Sequence, residues 1–263
     1  MKYSFNLKCL VVLTTTLFLF SSCKRTAPIG RNIICAVDFS DSKNAKERMQ
    51  FYMNVIKDNV IPKLGFNDKI TVVVIDNATS TYYSEILLVD FSTKNFEPEH
   101  ASPKEQEQIT NDNLKKYKDT LATSFVLSYQ KAITDRGDLS HGTDIFSLLN
   151  IISTKGKLSN INKNYLIFLS DMMNYTKELN MEPDNNGFSK STLDNILNKL
   201  PDNKLPKTIS LILTGKEVEV SKEHFDLVDE FWKKYFEKNG SMYYDYNSGS
   251  TDKLNELMAL PVQ

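Results

Sequence analysis

The 263-residue chain is 41% hydrophobic and 25% charged, with a formal net charge of −1 and three cysteines. Near-neutral charge excludes nucleic acid and anionic membrane surface as main partners. With Cys9 and Cys23 close to the amino terminus and Cys35 inside an apolar run, a disulfide framework and a cysteine metal site are excluded as well.

In chain order the first element is a secretory signal: Lys2 and Lys8, the apolar run VVLTTTLFLF, then small residues ending at Cys23. The run is shorter than the roughly 20 apolar residues a membrane-spanning helix needs. Phe20-Ser21-Ser22-Cys23 is similar to a lipobox, the processing site of bacterial lipoproteins, with Phe20 where leucine is usual. That resemblance implies a signal peptide over 1–22, lipidation of Cys23 and a lipidated tether over 23–30. Each buried methylene of an acyl chain adds about 0.8 kcal/mol, so the lipid anchor alone suffices for membrane association. Loss of Lys2 and Lys8 with no acid leaves the mature part at −3. Lys24 and Arg25 bring no acidic cluster resembling a surface-export signal, which points to the periplasmic side of the outer membrane.

Four apolar, β-branched runs then read as buried parallel strands: 32–39, 69–76, 164–171 and 207–215. A fifth, 82–91, follows the second after a short polar turn and reads as its antiparallel neighbour; SMYYDYN is a last short strand. Helical patterns lie between them: 42–61, ending at Pro62; 103–135 after Ser102-Pro103; one opening at Gly142-Thr143; STLDNILNKL; a helix capped at Ser221 and stopped at Gly240; and TDKLNELMAL. Strands alternating with helices predict a three-layer, doubly wound α/β fold, with a mostly parallel six-stranded sheet and one antiparallel edge strand. Ligands of such sheets sit beyond the carboxyl ends of the strands, where the strand order switches. Asp38 and Asp171 fall at two such ends.

Asp38, Ser40 and Ser42 form an Asp-x-Ser-x-Ser at the end of the first strand; Thr143 follows Gly142 at a helix start; Asp171 closes IFLSD. With these motifs in these elements the chain resembles a von Willebrand factor type A domain over residues 31–260, with a helical insertion around 92–140. The resemblance implies a divalent-cation (MIDAS-type) site made by Asp38, Ser40, Ser42, Thr143 and Asp171, holding magnesium or manganese. It departs from the family at Met172, where glycine is usual, and in the length of 92–140.

Hydroxyls and carboxylates suit such ions, which take six oxygens and keep several waters. Few direct anionic contacts leave the ion electrophilic, so a protein partner offering a carboxylate completes its shell. Met172, Met173, Tyr175 and His141 are the expected partner-facing residues. Taken alone, Asp-x-Ser-x-Ser reads equally as a turn or a helix cap. A serine nucleophile lacks both a recognisable histidine partner and a Gly-x-Ser-x-Gly elbow. A phosphoaspartyl site wants an acid where Ser40 stands. The expectation is a non-enzymatic, lipid-anchored envelope protein that binds a protein partner through the ion. The alternatives are a hydrolase using the same ion to activate water, and a metal-free scaffold in envelope assembly.

Overall fold

The computed structural model describes residues 30–40, 45–98, 100–136, 142–160, 162–177, 179–183, 185, 187–214, 220–247 and 251–259. The signal segment, Cys23 and most of the tether lie outside the described residues, as do Ser42 and His141.

Six strands form one sheet: β1 (Arg31–Asp38), β2 (Lys69–Ile75), β3 (Glu85–Asp90), β4 (Lys163–Leu169), β5 (Thr208–Leu213) and β6 (Ser241–Asn247). Their order is β3-β2-β1-β4-β5-β6, with every neighbouring pair parallel except β2 with β3. Residues 76–84 are too few for the dozen or more that a parallel crossover needs, so β3 returns antiparallel. A register shift between Val72 and Val73 ends regular pairing at Glu85, which makes β3 shorter than the expected 82–91. The doubly wound sheet with one antiparallel edge is the architecture the sequence predicts.

The helices are α1 (Ala45–Asn54), α2 (Pro103–Asp135), α3 (Ile145–Thr154), α4 (Leu193–Lys199), α5 (Lys222–Lys238) and α6 (Asp252–Ala259). Beyond Asn54, α1 widens into a π turn over Val55–Val60 and tightens into a 3-10 turn over Ile61–Lys63. Pro62 has no N–H with which to extend the helical ladder.

β1 shows why two cores form. Successive side chains of a strand point to opposite faces. Ile33, Cys35 and Val37 enter a core covered by α1, α2 and α6, whereas Ile34 and Ala36 enter a second core covered by α3, α4 and α5. Both faces being covered, β1 is buried along its whole length. Among the described residues no helix is long and apolar enough to cross a membrane.

The stretch 92–140 holds α2, opened by a capping box between Ser102 and Glu105. At 33 residues it is about 50 Å long from a 1.5 Å rise per residue, roughly twice the reach of the strands. Leu114, Leu121, Phe125 and Tyr129 form its buried stripe. Near its carboxyl end, Tyr129 donates its hydroxyl to the Met49 carbonyl (3.1 Å) and meets the Phe39 ring edge-on at 5.3 Å. The helix therefore reaches the residue next to Asp38.

Candidate metal centre

β1 pairs with β2 on one side and with β4 on the other, so the switch in strand order lies between β1 and β4. Asp38 ends β1 there, and Asp171 follows β4 by two residues. The chain leaves β1 through a local turn in which the Ser40 backbone N–H donates to Asp38 Oδ1 at 2.8 Å. Asp38 is only 4% exposed. The Ser170 hydroxyl donates to its Oδ2 at 2.7 Å, and the Thr143 hydroxyl lies 3.4 Å from both carboxylate oxygens. Burial, then the charge of Asp171, push the Asp38 carboxyl above its usual range; Arg48, the Ser40 N–H and the Ser170 hydroxyl pull the other way.

Asp171 Oδ2 takes the Arg48 guanidinium at 2.8 Å through Nη1, while Oδ1 accepts the Met173 N–H at 3.0 Å. Between these two acids the backbone is tightly held. The Met172 N–H donates to Ser170 Oγ (2.9 Å), and the Met172 carbonyl accepts the Trp232 indole N–H (2.9 Å). Met172 has φ +60°, so the chain keeps, with a methionine, a left-handed conformation that costs a non-glycine residue about 1–2 kcal/mol. This corrects the expectation that Met172 faces a partner: its side chain is fully buried in the core that contains Trp232. Met173 is half-buried and Tyr175 is 43% exposed.

Thr143 is fixed from the same loop, its carbonyl accepting the Tyr175 N–H at 2.9 Å. Gly142, with φ +111°, lies so close to Tyr175 that an added Cβ would come within 2.7 Å of its ring. Only glycine satisfies both conditions. Asp144 then caps α3 by accepting the Ser147 N–H at 3.0 Å.

A third acid, Asp76, directly follows the neighbouring strand β2 and forms an ion pair with Arg136, the residue that caps α2. Its carbonyl accepts the Asp144 N–H at 3.1 Å. Three adjacent strand ends thus carry an acid, and two of the three acids meet an arginine. Among the described residues, Asp38 forms no ion pair with a lysine or arginine. Sequence reasoning missed Ser170, Arg48 and the Asp76–Arg136 pair. For Arg48 the signal was present in the helical phase, which puts it with Ala45, Met49, Tyr52 and Met53 on the buried face of α1.

Among the described residues no group of three or more His, Cys, Asp or Glu converges to hold a metal ion. Two carboxylates of adjacent strand ends, with hydroxyls from Ser170 and Thr143 on the more buried one, fit a hard, oxygen-seeking cation. Asp38, Thr143 and Asp171 are brought to one end of the sheet, and Ser40 is buried two residues from Asp38. Ser42 and His141 lie outside the described residues.

No family profile and no curated protein sequence matches the chain. Among solved structures, a von Willebrand factor type A protein from Catenulispora acidiphila aligns at 11% identity and TM-score 0.44, over 89% of this chain and 43% of its own. An aerotolerance-related membrane protein from Bacteroides fragilis NCTC 9343, crystallised with multiple mutations to serines, aligns at 12% identity and TM-score 0.41, over 87% and 98%. The pilus adhesin SpaC from Lactobacillus rhamnosus GG, in an open conformation, aligns at 12% and 0.40, over 89% and 29%. The chain therefore spans less than half the length of the first and third. Strand order, the single antiparallel edge and helices on both faces make this a doubly wound, mostly parallel α/β fold.

Proposed function

We propose that this chain is an envelope protein, lipid-anchored at Cys23, whose domain binds a protein partner through a magnesium or manganese ion. The observation that carries the reading is Asp38: a buried carboxylate with hydroxyl and backbone partners, a second carboxylate nearby, and no ion pair among the described residues. Asp38, Ser40, Ser42, Thr143 and Asp171 would hold the ion. When bound, it would offer an open coordination position to a carboxylate of the partner. The protein's own part is positioning. Ser170 orients Asp38, the Met172 peptide is pinned between Ser170 and Trp232, and Gly142 lets Thr143 approach Asp38. Met173 and Tyr175, in the loop after β4, supply accessible surface for the partner.

The metal-free scaffold keeps one specific observation in its favour, the Arg48 guanidinium on Asp171. Thermal unfolding of the full chain in mild detergent separates the two, first in chelator and then with magnesium or manganese. A ligand bound only to the native state at about 100 times its dissociation constant adds roughly 2.7 kcal/mol. A midpoint that rises with the ion in wild type, and not in Asp38→Ala, supports the ion-dependent reading. No rise in wild type discards it in favour of the scaffold. Mass spectrometry of the processed amino terminus, beside Cys23→Ser, tests the anchor.

A further inference from the structure

Arg48 stands in α1, eight residues after Ser40, on a helix face otherwise made of Ala45, Met49, Tyr52 and Met53. An arginine among such residues is costly to bury unless its charge is matched. Its side chain is 9% exposed, and its Nη1 lies 2.8 Å from Asp171 Oδ2, on a carboxylate 15% exposed. The guanidinium thus holds one of the two acids named above as ion-binding, and its charge also acts on the other, Asp38. Arg48 is thus paired with Asp171, while Asp38 beside it forms no ion pair with a lysine or arginine among the described residues.

Resting on the ion-binding reading, we infer that Arg48 is a resident counter-charge that sets the site's affinity for the divalent ion. It holds Asp171 in place when no ion is bound and opposes the ion when one arrives, since like charges close together repel more strongly in a protein's low-dielectric interior than in water. The residue is a positioning and affinity-determining group; it makes no contact with the partner. With Asp171 already matched by the guanidinium, the domain would not need the ion in order to fold.

The test compares wild type, Arg48→Met and Arg48→Lys as full chains in mild detergent. It reads manganese affinity by calorimetry and the thermal midpoint in chelator. Methionine keeps the apolar stem without the charge, and lysine keeps the charge without the fork. Arg48→Met should bind manganese about tenfold tighter or more, with a lower midpoint in chelator; Arg48→Lys should bind much as wild type does. Equal or weaker binding by Arg48→Met, with wild type binding, overturns the inference and leaves the ion reading intact. A lower midpoint with unchanged affinity makes Arg48 merely structural and overturns it too. Binding by Arg48→Met alone supports the inference and removes the ion from the wild-type function. Binding by neither overturns both. If Arg48→Met does not fold, Arg48→Gln replaces it with the same expected outcomes.

Discussion

Two buried arginine–aspartate pairs stand at opposite ends of the same sheet, and they differ in what surrounds them. At the amino ends of the strands, Asp68 receives Nε and Nη2 of Arg31, the Arg31 N–H and the Gly65 N–H. The rest of the guanidinium goes to the carbonyls of Met258 and Lys63, each at 2.6 Å. One cation meets one anion there, with side chains 6% and 2% exposed, and backbone groups absorb the remaining hydrogen-bonding capacity. At the carboxyl ends, Arg48 meets Asp171 beside a second carboxylate, Asp38, which burial and Asp171 both push toward its protonated form. The lower pair is closed, tying the start of β1 to the end of α6. At the upper end a second carboxylate, Asp38, stands beside the pair without an ion pair of its own among the described residues, and on the proposed reading that is where a cation would enter.

The largest test of this contrast is Arg31→Ala. Removing one partner of a buried ion pair leaves the other uncompensated, and the expected loss is about 3–5 kcal/mol in urea unfolding. Arg48→Ala should cost less, because Asp171 is nearer to water. Equal losses would mean that both pairs are structural and would break the comparison.

Next in size is Asp38→Asn. In wild type, saturating ion should add roughly 2.7 kcal/mol at about 100 times the dissociation constant; the variant should lose that gain while keeping the Ser170 hydrogen bond. The pH dependence in chelator sharpens the point. The folded state holds the Asp38 proton more tightly than the unfolded chain does, so the native form binds more protons as pH falls into the carboxylate range. Asp38 therefore lowers stability at neutral pH, and that contribution is relieved as the carboxyl protonates. Asp38→Asn should flatten this part of the profile and equal or exceed wild type in stability at pH 7 without ion. A variant less stable than wild type in chelator would place Asp38 among the structural acids, with Asp68.

Most of the frame was legible before any coordinates, because buried parallel strands are written as near-continuous β-branched runs. NIICAV, ITVVVI, NYLIFL and TISLIL each became a strand, and the short 76–84 connection fixed the antiparallel edge. The acids at the strand ends were legible for the same reason, since a charge that terminates such a run stands out. What the sequence concealed were relations across space. Arg48 sits in Lys46-Glu47-Arg48, which looks like an exposed charged turn until the helical phase is counted. Ser170 looks like a polar strand end, yet its hydroxyl donates to Asp38 Oδ2 at 2.7 Å. Asp76 and Arg136 stand 60 positions apart, and only the course of α2 joins them. Met172 reads as a loop residue open to a partner; its left-handed backbone and the two hydrogen bonds on its peptide turn the side chain inward instead.

Met172→Gly gives a smaller effect, confined to the upper end. Glycine would relieve about 1–2 kcal/mol of backbone strain, but the deletion of a fully buried side chain of this size costs about 2–5 kcal/mol. The net expectation is a modest loss of stability with the ion response retained, since the Met172 carbonyl and N–H still hold Trp232 and Ser170. A gain in stability would show that the side chain contributes less to the core than its burial implies.

The smallest expected change is none, and it is read at Cys35, which lies within β1 between the two ends. Its thiol is fully buried, and burial pushes it up to about 12, so neither access nor thiolate favours reaction near neutral pH. A maleimide should label it only through unfolding, at a rate that follows global stability when opening is fast. Arg31→Ala should then raise the labelling rate by about 10²–10⁴-fold, the equivalent of its expected loss at about 1.4 kcal/mol per tenfold. Asp38→Asn in chelator should leave the rate at or below that of wild type. Faster labelling in Asp38→Asn would mean that the upper acid holds the centre of the sheet together, and a site poised to take in a cation would have no place in the structure. Unchanged labelling would set a closed, fold-bearing end apart from an end whose charge is kept for binding.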